Sequence, residues 1–221
     1  MRSSPFVSFL NLFIIVLFAT FCSCKKPEPA RITIEGTISD ATGAVSDAEI
    51  QLAVKEISSG TFSNNFVVFH TTNSNALGKY LHDFEAYNAI EYKIDVVGQN
   101  RFSESLVFDS DELQKNETNT YDFYLQPKAW YKVIIKNTSP VDSSDLLQYQ
   151  ITSSQPICSS CCANTISVLI GDTVNTSLKC LTLGNTTLDI GWVVTKNGFT
   201  NSYSNSITCN TGDTAVYYLN Y

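Results

Sequence analysis

From Ile90 to Val96 every second residue is apolar: Ile90, Tyr92, Ile94 and Val96 alternate with Glu91, Lys93 and Asp95. In an extended chain that period sends the apolar side chains to one face and the charged ones to the other, whereas a helix repeats its apolar positions every three or four residues. The pattern is that of a half-buried strand, and it recurs along most of the chain. Ile32, Ile34 and Ile38 share a face, as do Ala48, Ile50, Leu52 and Val54. Further on come Tyr131, Val133 and Ile135, then Leu147, Tyr149 and Ile151, then Ile166, Val168 and Ile170, then Leu188, Ile190, Trp192 and Val194. A single Met beside 13 Phe and 11 Tyr agrees with this, because aromatic side chains fit a pleated surface.

Turn chemistry cuts the alternation into short pieces. Asp40 to Gly43, Ser58 to Gly60, Asn75 to Gly78 and Gly98 to Asn100 supply Gly, Asn or Asp, and an acidic loop from Asp109 to Glu117 precedes a strand with Tyr121, Phe123 and Leu125. Seven short strands at this spacing predict a two-sheet antiparallel sandwich over residues 30–127. A second alternation starts at Trp130, turns at Asn137 to Pro140, carries the hairpin signal Asn197-Gly198 and closes on Val216 to Leu219. It predicts another small sandwich over 128–221. The expected fold class is all-β, two tandem antiparallel β-sandwiches, the second Ig-like or unclassified.

The 221 residues hold 14 basic against 21 acidic side chains, a formal net charge of −7, with no basic run beyond Lys25-Lys26. A nucleic-acid groove needs a basic footprint and is excluded on that count. Arg2 and the apolar stretch Phe6 to Phe21, broken only by Asn11, form the one strongly hydrophobic segment. Sixteen helical residues reach about 24 Å, short of the roughly 30 Å hydrocarbon core, so a cleaved leader over 1–23 is expected rather than a membrane span.

Thr20-Phe21-Cys22-Ser23-Cys24-Lys25-Lys26 resembles the lipobox of bacterial lipoproteins, with small Ser23 before the acceptor Cys24 and charged residues after it. The resemblance implies that Cys24 becomes the lipidated first residue of the mature chain. More than one acyl chain makes such an anchor stable. Cleavage before Cys22 would put bulky Phe21 in the small-residue pocket. Pro27-Glu28-Pro29 makes residues 24–29 a stiff tether. The implied location is the cell envelope, on the periplasmic or the outer face of the outer membrane, and the implied partner is the membrane itself.

The order of signals in residues 30–127 is similar to that of carboxypeptidase-regulatory-like, transthyretin-like domains. The matching pieces are Ile34-Glu-Gly36-Thr-Ile38, Asp47-Ala48-Glu-Ile50-Gln-Leu52, the Thr72 to Tyr80 hairpin with Asn75 in place of an acid, Tyr92 to Gly98 followed by Phe102, and Leu125-Gln-Pro127. The resemblance implies a prealbumin-like sandwich used as a spacer, stabiliser or interaction module. A fold of that kind carries no activity by itself. In the second domain, Asp213-Thr-Ala-Val-Tyr-Tyr218 is similar to the tyrosine corner of antibody variable domains, but Leu219 stands where that fold has a cysteine.

Beyond the leader lie Cys158, Cys161, Cys162, Cys180 and Cys209. In an oxidising envelope disulfides are the expectation, with Cys180 paired to Cys209 and one or both of Cys161 and Cys162 bonded to Cys158 or across the domain. Metal or redox use of Cys158-Ser-Ser-Cys161 is the rival, but structural zinc sites show a second such pair or closely spaced histidines. No metal or cofactor is expected. His70 and His82 fall in strands, His82 beside Asp83, and no nucleophile motif accompanies them. Asp109, Asp111 and Glu112 lack the ligand alternation of a calcium loop. Asp172-Thr-Val and Asp213-Thr-Ala resemble O-glycan acceptor sites of some Bacteroidota.

These readings converge on a non-enzymatic, lipid-anchored envelope module for binding or scaffolding, with an envelope protein or a glycan as partner and no catalytic residues. A carbohydrate-capturing surface lipoprotein of an outer-membrane uptake system is the alternative. It requires a row of exposed aromatics, for which Phe62, Trp130 and Phe199 are candidates. A hydrolase or redox protein would require His82 and Asp83, or the cysteines, to converge in a pocket.

Overall fold

The structure, a computed structural model, describes residues 29–58 and 61–221. The leader, Cys22 and Cys24 lie outside the described residues, as does the side chain of Phe62. Among the described residues strands account for all the regular structure, in the order β1 (Arg31–Asp40), β2 (Gly43–Ala44), β3 (Glu49–Ser58), β4 (Thr61–Phe62), β5 (Val67–Asn73), β6 (Lys79–Glu85), β7 (Ala89–Val97), β8 (Glu104–Asp109), β9 (Thr118–Thr120) and β10 (Phe123–Tyr124). These are followed by β11 (Lys128–Lys136), β12 (Leu146–Ile151), β13 (Ser167–Ile170), β14 (Asn175–Leu183), β15 (Thr186–Lys196), β16 (Phe199–Cys209) and β17 (Thr214–Asn220). The protein is all-β. No helix long and apolar enough to cross a membrane occurs among the described residues.

In the first sandwich, β1 is the centre of one sheet, with β2 and β6 antiparallel to it and β9 and β10 parallel. The other sheet runs β4-β3-β7-β8, with β5 also on β3. Ile32, Ile34 and Ile38 face Ile50, Leu52, Val54, Tyr92, Ile94 and Val96 across one core, as their alternation predicts. The expected last strand is split at Tyr121 and Asp122 into β9 and β10. It returns alongside β1 in the same direction, so sequence alternation located it without giving its polarity.

Gly36 makes that return possible: a Cβ there would sit 1.8 Å from the Tyr121 carbonyl oxygen. Tyr80 fixes the same crossing, donating from its hydroxyl to the Tyr121 carbonyl at 2.8 Å.

In the second sandwich a sheet of order β14-β11-β17 faces one of order β13-β12-β15-β16. Tyr131, Val133, Ile135, Leu147, Leu188, Ile190 and Leu219 fill the space between them. The two sandwiches meet end to end at Pro127 and Lys128, where Lys128 N–H donates to Asn100 O and Gly184 N–H to Pro127 O, each at 2.8 Å.

One face assignment is reversed. Ile166, Val168 and Ile170 point to solvent, while Leu169 turns inward. The register explains it: Leu169 pairs with buried Leu147, and the residues on either side of it must take the opposite face.

Candidate functional site

Asn197 and Gly198 have φ of 49° and 74°, the left-handed pair that a two-residue hairpin demands. The hairpin they close is long. β15 and β16 stay paired from Thr186 and Cys209 out to Lys196 and Phe199, yet residues 199–206 are exposed on both faces. The facing sheet ends laterally at β17, which runs along β15 from Tyr217 at Trp192 to Tyr221 at Lys196, so the outer strand β16 overhangs it.

The overhang leaves a trough. Its floor carries Trp192, Val194 and Lys196 from β15 and Phe199, Asn201 and Tyr203 from β16, and its wall is Asn220, Tyr221 and Ser139. All six floor residues share the inward face by strand parity, but only Val194 is fully buried. Trp192 and Tyr203 are direct cross-strand partners. Their ring centroids are 5.7 Å apart with planes 20° from parallel, and Tyr217 braces Trp192 from below at 5.9 Å.

Lys196 contributes the trough's one charge, and that charge is engaged. Its Nζ donates to Asn137 Oδ1 at 2.7 Å and Ser139 O at 2.8 Å, and lies 4.7 Å from the Tyr221 ring centre. Asp145, buried 3.8 Å behind it, accepts from Val141 N–H, Asn137 Nδ2 and Asp142 N–H. Burial alone would raise the Asp145 pKa, but these hydrogen bonds and Lys196 hold it below the usual carboxylate range. The site is therefore neutral towards a ligand, with aromatic faces and side-chain amides exposed.

Two other depressions are less suited. The largest, about 630 Å³, lies on the first sandwich and is lined by Glu35, Thr37, Lys79 and Asp122 among others. There Asp122 already accepts from Thr37 N–H and Oγ1, both at 2.7 Å. A shallow depression of about 260 Å³ on the other face of the β12-β15-β16 sheet presents Gln148, Gln150, Ile166 and Val193.

The expected Cys180–Cys209 pair does not form, whereas Cys161 and Cys162 bond to Cys158 and across the domain as expected. Cys158 bonds Cys161, and Cys162 bonds Cys180, leaving Cys209 a buried free thiol. Cys180 and Cys209 belong to opposite sheets of one core, and Cys180 is taken by the nearer segment. That segment adds to the outer edge of β14: Cys162 N–H donates to Leu181 O and Leu181 N–H to Ser160 O, each at 2.8 Å. The Cys158 and Cys161 thiols are consumed in a disulfide rather than offered to a metal.

His70 and His82 do converge, Nδ1 to Nδ1 at 2.5 Å, but in the seam between β5 and β6. The His82–Asp83 pair does not form. Adjacent strand residues face opposite ways, and Asp83 is 2.8 Å from Arg31 on the outer face. Glu112 turns back on the Asp109 N–H at 3.2 Å, and no three His, Cys, Asp or Glu are placed to hold a metal ion among the described residues. Thr173 and Thr214 of the two Asp-Thr sites are exposed. Of the candidate aromatics, Trp130 lies under Lys179 at 4.5 Å and Phe199 stands 72% exposed at the trough. Sequence reasoning missed Trp192, Asn201, Tyr203 and Tyr221 as site residues. The parity of β15 and β16 around Asn197-Gly198 would have grouped the first three with Phe199.

No protein family and no curated protein matches this sequence. Among solved structures it is similar to the Bacillus anthracis TIE protein, at 8% identity over 86% of this chain and 34% of that one, with a TM-score of 0.37. It is also similar to catechol 1,2-dioxygenase from Pseudomonas arvilla, at 10% identity over 48% of this chain and 54% of that one, TM-score 0.34. For the shaft pilin SpaA of Lactobacillus rhamnosus (D295N mutant) the identity is 8% over 83% and 95%, TM-score 0.30. The chain thus spans about a third of the first and about half of the second.

Proposed function

We propose that this chain is a non-enzymatic, lipid-anchored protein of the bacterial cell envelope, held to the outer membrane through Cys24 and acting as a binding and scaffolding module. In this reading the N-terminal sandwich, similar to carboxypeptidase-regulatory-like domains, is the spacer on the residue 24–29 tether. The C-terminal sandwich presents the binding face. One observation carries the assignment: β16 overhangs the opposing sheet and leaves Phe199 72% and Tyr203 50% exposed in a trough whose one charged side chain, Lys196, is already engaged. Large rings are ordinarily buried, and a cluster of exposed ones marks a contact surface. The paired histidines and bonded cysteines sit in seams and edges, where they serve the fold.

The test has two arms. Replacing Cys24 with Ala should let washing without detergent release the protein from the membrane pellet in soluble form. That soluble protein should still sediment with isolated cell envelopes, and the double substitution Phe199→Ser, Tyr203→Ser should abolish the sedimentation while leaving the thermal midpoint unchanged. Equal sedimentation of the two would remove the trough from the function.

A further inference from the structure

We infer that the trough is a carbohydrate subsite that takes a neutral pyranose ring, an inference that rests on the binding-module reading above. Its shape and chemistry narrow the ligand step by step. Trp192 and Tyr203 stack across neighbouring strands, centroids 5.7 Å apart and planes 20° from parallel, so each ring spends one face on the other and half-exposed Tyr203 keeps its outer face for a ligand. The face of an aromatic ring carries the negative lobe of its quadrupole. It attracts C–H groups made electron-poor by attached oxygens, and the axial C–H face of a pyranose presents a flat array of them.

The rim supplies the polar half of the match. Asn201 and Asn220 border the platform, and each side-chain amide offers two N–H donors and a carbonyl acceptor. A sugar hydroxyl both donates and accepts, so a pair of amides can serve adjacent equatorial hydroxyls. Phe199 closes the outer end, and the volume of about 320 Å³ accommodates a ring with its first linkage.

Charge excludes the nearest competitors. None of the nine lining side chains is a carboxylate. The ammonium of Lys196 is occupied by Asn137, Ser139 and the Tyr221 ring, so an anionic ligand finds no free cation. An acyl chain or apolar peptide would match the rings but strand the two amides without partners, which costs more than it gains. A neutral sugar satisfies both halves. Because Trp192 is braced by Tyr217 and Lys196 is tied down, little side-chain freedom is lost on binding.

The experiment uses the whole chain from Cys24 onward in a non-glycosidic detergent, titrated calorimetrically with methyl β-glucopyranoside, N-acetylglucosamine, chitotriose and glucuronate. At least one neutral sugar should bind with Kd on the order of 1 mM, as expected of a single-ring contact, and an oligomer about tenfold more tightly. Glucuronate should bind no better than its neutral counterpart. Tyr203→Ala should weaken binding about tenfold, the loss of one stacking face, and Asn201→Ala about threefold. Both side chains are exposed, so an unchanged thermal midpoint separates these effects from misfolding. Absence of binding by every neutral sugar, or binding indifferent to Tyr203→Ala, would overturn the assignment.

Periodate, which cleaves the vicinal diols of sugars, tells this failure from failure of the broader reading. Envelopes that bind through the trough should stop binding after periodate treatment. If they bind as before and none of the sugars titrated above binds, the ligand is not a sugar and the binding module stands. If untreated envelopes never bind, both fall.

Discussion

His70 on β5 and His82 on β6 meet Nδ1 to Nδ1 at 2.5 Å, joining the two sheets of the first sandwich at their open side. Such a contact holds only one proton: one nitrogen donates and the other must accept. His82 is fully buried, and its Nε2 has no partner. Burial, and then the proximity of His70, pull its pKa from 6.5 down to about 4.

The direction of the pH effect follows. In the unfolded chain His82 titrates near its ordinary value, whereas in the folded chain it stays neutral until about pH 4. Between those limits the unfolded state binds the extra proton, so stability falls as pH falls, by up to about 3 kcal/mol across the window. Urea midpoints between pH 4 and 7 should show this slope, and His82→Leu should flatten it. A variant with the wild-type slope would contradict the account.

The two disulfides are unequal. Cys162–Cys180 spans 18 residues and fastens an irregular segment to the edge of β14, whereas Cys158–Cys161 spans only 3. In the chain-entropy view a loop of the former length stabilises by about 3 kcal/mol, and a very short one by less. The double replacement Cys162→Ala, Cys180→Ala should therefore lower the urea midpoint well beyond Cys158→Ala, Cys161→Ala. Cys209, being buried, should resist thiol reagents until the domain unfolds, so one thiol per chain should react in denaturant and none in buffer.

Tyr131 is a stabilisation site. Its hydroxyl is buried without a hydrogen-bond partner, and burial raises the phenol's pKa, so it stays neutral. Tyr131→Phe removes the unsatisfied group and keeps the ring. It should leave stability unchanged or raise it by up to about 1 kcal/mol. A clear drop in midpoint would mean that the hydroxyl is satisfied in solution.

Gly36 should tolerate no side chain. With the Tyr121 carbonyl oxygen 1.8 Å from its ideal Cβ position, Gly36→Ala must displace the β9–β10 return and should cost about 2 kcal/mol or more. Gly171, with nothing within 4 Å but φ of 124°, is the control in which backbone conformation alone resists alanine.

Much of this was written in the sequence, and the gaps have physical causes. Alternation gave the buried faces of β1, β3, β7, β11, β12 and β15, because one side of each meets a core and the other meets water. It was silent on β16, whose Thr and Ser alternate with Phe, Asn and Tyr, since an overhanging strand has little face to bury. It misled at Ile166, Val168 and Ile170, where an edge strand takes its register from Leu147 opposite Leu169. Cysteine spacing could not separate Cys162–Cys180 from Cys180–Cys209, because that choice depends on which segment lies along β14. The site was legible only as Phe199 and an Asn-Gly turn. That the three-stranded facing sheet ends at β17 and leaves β16 uncovered is a tertiary fact.

The placement of this module outside the cytoplasm by a lipid at Cys24 is best tested by intact-mass spectrometry of the protein released from membranes of cells that produce the full sequence. The account predicts a chain that begins at Cys24, lacks residues 1–23, and is heavier than its polypeptide by the mass of the acyl groups. A chain with residues 1–23 still attached, or one starting elsewhere with no added mass on Cys24, would contradict it.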